Sequence, residues 1–258
     1  MKGGLVSDVT AGIPKYSVVG APVAIPVAGG SLAALVHLPT RLPAPTVICC
    51  HGLLSSKDSS KFAAMAEDLC HSGFAAVRFD FSGCGETQAA LEDSLIGSRR
   101  RDLLAVMAFV QRQDWNNGHL GMMGSSLGGY LALLAAAASS ASGVRAIVCW
   151  ATPFDLSKVS VAIENGGLPT RILPASGQLG EPQDLSGLPP LTGVLVVHGE
   201  RDATVEWSAA TQIYRRMADP KQLLLFEQAD HRFVDPVCRR MAIHASTEWF
   251  RNHLVNLP

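Results

Sequence analysis

The stretch GMMGSSLGGY, Gly121 to Tyr130, sets two serines side by side between glycines, where an apolar run gives way to an alanine-rich one. Within it Gly124-Ser125-Ser126-Leu127-Gly128 matches G-x-S-x-G, with strand-like LGMMG before it and helix-like LGGYLALLAAAA after it, the context that motif requires. A strand that enters a helix through so tight a turn folds back on itself, so the positions two before and two after the central residue must be tiny. Ser126 has glycine at both places, whereas Ser125 has Met123 and Leu127 there. Ser126 is therefore the candidate nucleophile, its hydroxyl at a helix start where the dipole and the amide of Leu127 favour a developing negative charge. Alone, the pentapeptide also suits an inert glycine-rich turn, and a serine does no acyl chemistry without partners.

Outward from this turn, short apolar runs alternate with helix-length segments: TVICC (46–50), FAAVRFDF (74–81), LGMMG (120–124), RAIVCW (145–150), GVLVVHG (193–199) and QLLLFEQ (222–228). They read as central strands buried on both faces, being too short for helices and too continuously apolar for half-exposed strands. Between them KFAAMAEDLCHSG, RDLLAVMAFVQRQ, LGGYLALLAAAASS and EWSAATQIYRRMADP have helical apolar spacing, and a last helix runs from about Asp235 to His253. Upstream, SVVGAPVAIPVAGGSLAALVHLP reads as a hairpin turning at Gly29-Gly30, its prolines suited to an edge. The expected fold is α/β, a doubly wound, mostly parallel sheet with an antiparallel N-terminal hairpin, in one domain over residues 1–258. From about Asp155 to Pro190 the rhythm breaks, with prolines at 169, 174, 182, 189 and 190, and a short lid or cap insertion is expected there.

The composition excludes several classes of partner. A net charge of −1 with no basic stripe argues against nucleic acid, and Arg99-Arg100-Arg101, running into Asp102, reads as the solvated start of a helix. No apolar run approaches a bilayer's span and the N-terminus lacks the apolar core of a signal peptide, so no membrane partner and a cytoplasmic location are expected. The six cysteines show no CxxC spacing and read as reduced, mostly buried thiols, with no metal site. A homo-oligomer stays open.

Partners for Ser126 lie downstream. VLVVHGERDATV puts Asp202 just past a strand's carboxyl end, and LLLFEQADHRF puts His231 just past the next. Serine, acid, histidine is the chain order of nucleophile-elbow hydrolases. His231 would take the Ser126 proton and return it to the leaving group, with Asp202 holding the imidazole's tautomer. Asp155, after the RAIVCW strand, is a second candidate acid, while Asp230 is too close along the chain to face His231 well. An oxyanion hole needs a second amide besides that of Leu127; after the strand ending ICC, His51-Gly52 lets the chain turn tightly and frees the amide of Leu53, with His51 bracing the loop.

Together HGLLSSKDS, DFSGCGET, GSSLGG, HGERDATV and ADHRF resemble the α/β-hydrolase superfamily, in particular its small esterase and serine aminopeptidase-like branch, with feruloyl esterases and monoacylglycerol lipase-like enzymes, from about Thr46 to the C-terminus. The resemblance implies a triad of Ser126, Asp202 and His231 and oxyanion amides from Leu53 and Leu127. It also implies that FSGCGE lines the pocket, with Cys84 near its mouth, although Thr87 stands where the family often has serine. Ser, His and a carboxylate need no cofactor, so none is expected. The function expected is that of a serine hydrolase, a carboxylesterase cleaving small to medium acyl esters through an acyl-Ser126 intermediate, its partner a small-molecule acyl substrate. A thioesterase or amidase using the same triad, and a catalytically silent binding module on this scaffold, remain the alternatives. Dehalogenase and epoxide-hydrolase chemistry would need a carboxylate where Ser126 stands.

Overall fold

The computed structural model describes residues 17–90, 95–138, 143–157 and 183–255. The elements run β1 (Ser17–Val27), β2 (Gly30–Leu38), β3 (Ala44–Cys50), α1 (Ser60–His71), β4 (Ala75–Phe79), α2 (Leu95–Gln111), β5 (Asn116–Ser125), α3 (Leu127–Ala138), β6 (Val144–Trp150), β7 (Val194–Gly199), α4 (Ser208–Arg216), β8 (Lys221–Phe226) and α5 (Pro236–Leu254). The strands form one sheet of eight in the order β1-β2-β4-β3-β5-β6-β7-β8. β1 pairs antiparallel with β2 and β2 with β4; every other neighbour is parallel. This is the expected α/β sheet with its antiparallel hairpin. β1, with Pro22 and Pro26, is the edge, where a missing N–H costs no ladder bond.

Side chains along the central strands alternate between two cores, as a pleat of period two demands. On one face Ile48, Cys50, Met122, Cys149 and Val196 pack under α2, α3 and α4. On the other Val47, Cys49, Met123, Val148 and Val197 pack under α1 and α5. The tight approach of helices to both faces explains the continuous apolar runs.

Two expectations need correction. QLLLFEQ forms β8, but as the outer strand it is only half-buried, with Leu225 exposed, because nothing pairs beyond it among the described residues. The arginine cluster is not a solvated helix start: α2 already runs from Leu95, Arg99 is buried, and Asp102 is buried against the amide and hydroxyl of Ser82 at 2.8 and 2.9 Å. A cluster of like charges reads as solvent-facing only while its tertiary partners are unknown.

The chain moves from β3 to β4 in one direction along the sheet and then crosses to β5 on the other side of β3. Loops leaving the carboxyl ends of β3 and β5 therefore diverge and open a crevice between them, where ligands of such sheets bind. Strand registers put the ends at one level: Cys50 pairs with Gly124, Ser125 with Trp150, Trp150 with Val197, and Gly199 with Phe226. Ser126, Asp202 and His231 each follow one of these ends and so share one rim. The expected lid falls largely on residues 158–182, outside the described residues. Its roots are described: Asp155 and Asp184 form an antiparallel bridge that brings both ends of the excursion together between β6 and β7.

Candidate active site

The turn from β5 into α3 is built by exclusion. A Cβ on Gly124 would land on the carbonyl of Gly128, and one on Gly128 would land on the carbonyl of Cys50, so neither position accepts a side chain. Ser126 between them takes φ 54°, a left-handed conformation rare for any residue but glycine. Its amide donates to the carbonyl of Trp150 at 2.8 Å and its own carbonyl accepts from Gly129 at 3.0 Å, so the strain is held by both β6 and α3. The companion Ser125 is buried and accepts a hydrogen bond from Lys61 Nζ at 2.6 Å.

The loop after β7 fixes the carboxylate. Asp202 Oδ1 accepts from the amides of Thr204 and Val205, each at 2.8 Å. Its Oδ2 accepts from His231 Nδ1 at 2.8 Å and lies 3.1 Å from His198 Nε2. That last nitrogen also meets the Val205 carbonyl at 2.9 Å, and only a donor suits two acceptors, so Nε2 of His198 carries a proton. Burial alone would raise the Asp202 carboxyl, but the His198 and His231 hydrogen bonds, the His231 charge and the Val205 amide outweigh it and hold it well below the usual carboxylate range. With Nδ1 committed to Asp202, His231 keeps Nε2 for the cavity. Its loop is pinned by the next residue but one, Phe233, buried against Trp150 at 4.8 Å between ring centres.

Asp155 accepts from the amide and hydroxyl of Ser157 at 2.9 and 2.6 Å, and no hydrogen bond joins it to His231 among the described residues. Asp230 caps its own loop by accepting from the amide of Val234 at 2.9 Å.

The loop after β3 is held by side chains. His51 Nε2 accepts from the amide of Phe81 at 3.1 Å, so Nδ1 carries the proton and donates to the Gly52 carbonyl at 2.7 Å. Burial lowers its pKa to about 4, which keeps it a neutral brace. Further along, Lys57 donates its amide to the fully buried Asp80 at 2.7 Å, and its Nζ sits among Asp58, Glu86 and Asp80 at 2.8, 2.7 and 3.2 Å. These three carboxylates are grouped closely enough to invite a cation, and the Lys57 ammonium is already that cation. Arg99 reaches the Leu53 carbonyl at 3.4 Å and Cys84 Sγ at 2.8 Å. Gly52 comes so near the elbow that a Cβ there would lie 3.3 Å from that of Ser126. The amides of Leu53 and Leu127 donate to no other described residue, and the second opens α3, where helix N–H groups lack internal partners.

Ser126 and His231 line one cavity of about 800 Å³, together with Gly52, Leu53, Lys61 and Arg232. No hydrogen bond joins Ser126 Oγ to His231 among the described residues; catalytic hydrogen bonds often tighten only around substrate. His198 and Lys61 escaped the sequence reading, and Arg99 entered it only as part of a solvated helix start. His198 had a signal, standing four residues before Asp202 at a strand end, whereas the two long cations had none.

Residues 45–167 match the family model described as the alpha/beta hydrolase fold. The mouse mitochondrial palmitoyl-protein thioesterase ABHD10 is 30% identical over 213 residues, covering 73% of this chain and 69% of that protein. Among solved structures, an α/β serine hydrolase without lid from Xanthomonas campestris superposes with a TM-score of 0.70, at 22% identity, over 95% of this chain and 100% of that one. Est1E from Butyrivibrio proteoclasticus, with ferulic acid bound, gives 0.70 at 20% identity over 90% and 98% of the two chains. At those identities the two structures speak for the fold alone.

Proposed function

The chain belongs to the α/β-hydrolase family, and from that premise we propose that it is a serine carboxylesterase whose triad is Ser126, His231 and Asp202. The observation that carries the reading is the 2.8 Å bond from His231 Nδ1 to Asp202, with that imidazole in the same cavity as a serine at φ 54°. Ser126 Oγ attacks the ester carbonyl carbon while His231 Nε2 takes its proton, and the oxyanion is met by the amides of Leu53 and Leu127. The tetrahedral intermediate collapses, His231 protonates the departing alcohol, and an acyl-Ser126 remains. Water, deprotonated by the same imidazole, attacks the acyl carbon; the second collapse returns the proton to Ser126 and releases the acid. Asp202 stabilises the imidazolium in both halves. No step requires a metal or cofactor.

Small to medium acyl groups are the proposed substrates, resting on a short, proline-broken insertion between β6 and β7. Thioester cleavage is the second reading, favoured by the 30% identity to a protein named as a palmitoyl-protein thioesterase. The same attack serves both leaving groups. 4-Nitrophenyl esters of graded acyl length, run beside the matching acyl thioesters, separate the readings. Ester turnover that falls with chain length supports the first, and a clear preference for palmitoyl thioester replaces it with the second. Among the described residues no helix is long and apolar enough to cross a membrane. The six free cysteines suit a reducing compartment, and the cytoplasm is proposed, although that relative is named mitochondrial.

A further inference from the structure

The cavity that holds Ser126 and His231 also holds a buried ammonium which the reaction just described does not use. Lys61, in the first turn of α1, is only 8% exposed. Its Nζ donates to Ser125 Oγ at 2.6 Å and lies 5.8 Å from the ring centres of both Phe62 and Trp150. No carboxylate among the described residues pairs with it. An ammonium taken out of water without a counter-ion is costly, and long lysine side chains ordinarily snorkel to avoid that cost. Desolvation lowers its pKa to about 8, against the opposing pull of Asp230 and Asp202, and Arg232 and Arg239 lower it further.

Its surroundings add positive charge. Arg232 and Arg239 line the same cavity, and neither forms an ion pair with a described residue. The one carboxylate among the described residues that line the cavity, Asp58, is already engaged by Lys57 at 2.8 Å. The hydroxyls of Ser59 and Ser60 border the same wall and can donate to an anion as well. One partly committed ammonium beside small donors suits a compact anion better than a bulky one.

Building on the serine-hydrolase reading, we propose that the cavity binds acyl substrates that carry a carboxylate, seated against Lys61 Nζ, with Arg232 and Arg239 drawing the anion in. The substrate's negative charge supplies the counter-ion that the fold withholds from Lys61, while the covalent steps at Ser126 stay unchanged. The carboxylate can belong to the acid part of the ester or to its leaving group, and matched substrates tell these apart. Mono-4-nitrophenyl adipate against 4-nitrophenyl hexanoate puts the charge on the acid side; 4-acetoxybenzoate against 4-acetoxybenzamide puts it on the leaving side.

In at least one pair the wild-type enzyme should favour the charged ester by about tenfold or more in kcat/KM, the effect of one well-placed charged hydrogen bond. That ratio should shrink severalfold in about 0.5 M NaCl, where the Debye length is only about 4 Å. It should fall toward unity in Lys61→Met, which keeps an unbranched side chain one atom shorter and removes its charge. Equal turnover of both members of each pair, or a preference that survives in Lys61→Met, overturns this inference and leaves the esterase reading standing. Failure to cleave any of the four esters overturns both. The wild-type ratio and its salt dependence do not rely on the variant folding.

Discussion

The elbow between β5 and α3 and the loop between β3 and α1 border the same cavity, and different forces hold them. The elbow is backbone against backbone: Gly124 and Gly128 leave no room for a Cβ, and the strained Ser126 is tied to Trp150 on the neighbouring strand. The loop is spanned by side chains, with His51 bridging Gly52 to Phe81, Lys57 joined to Asp80, and Arg99 reaching Leu53. A wall made of main-chain contacts has no way to relax. A wall made of long side chains can shift, and it can carry charges that no backbone supplies. The proposed nucleophile therefore sits on the rigid side, whereas Lys61, Arg232 and Arg239, the groups suited to reading a substrate's charge, come from the start of α1 and the segment after β8.

The contrast can be broken most sharply at Asp202, the proposed acid. Asp202→Asn should leave the protein folded and lower kcat by about 10⁴, because an amide at this position no longer enforces the Nδ1–H tautomer of His231. Steady-state kinetics reads this, and a loss that follows Asp155→Asn instead would transfer the acid's role. Next, Gly128→Ala should destabilise folding by about 3 kcal/mol or more, since its methyl meets the carbonyl of Cys50 and the main chain cannot move aside. Urea unfolding measures that cost, and a change below about 1 kcal/mol would mean that the elbow is as pliable as the loop.

On the loop side the expected effect depends on pH. His51 has its pKa lowered to about 4 by burial, against 6.5 ordinarily, so the unfolded chain takes up a proton before the native one does. Its contribution is complete above about pH 6.5 and drains away as the pH falls toward 4, by up to about 3 kcal/mol in all. His51→Gln should flatten this part of the stability profile, as denaturant melts across the interval would reveal. The smallest effect is expected at the second imidazole on Asp202. His198→Phe removes one donor from a carboxylate that keeps three others, and about a tenfold drop in kcat should follow. A loss as deep as that of Asp202→Asn would make His198 as important to the carboxylate as His231.

The same difference explains what could be read from the amino acids alone. Positions ruled by backbone crowding admit one residue, so the glycines at 124 and 128 announce the turn and single out Ser126 over Ser125. Strand ends followed by Asp202 and His231 are visible because central strands are continuous apolar runs of definite length, and their register brings both ends to one rim. Lys61 and Arg99 look like ordinary polar positions of amphipathic helices, since the destination of a long side chain is set by tertiary neighbours that local sequence does not contain. The arginine cluster misled for that reason. β8 misled for another: its apolar run matches those of the central strands, and only the sheet order reveals that it lies at the edge.

A fluorophosphonate probe tests the hydroxyl of Ser126 as a nucleophile most directly, with mass spectrometry locating the adduct. Stoichiometric labelling of the folded wild-type protein on Ser126, absent in a folded Ser126→Ala, is the result predicted. Folded wild-type protein that takes up no label, or a Ser126→Ala variant labelled just as fully, would contradict it.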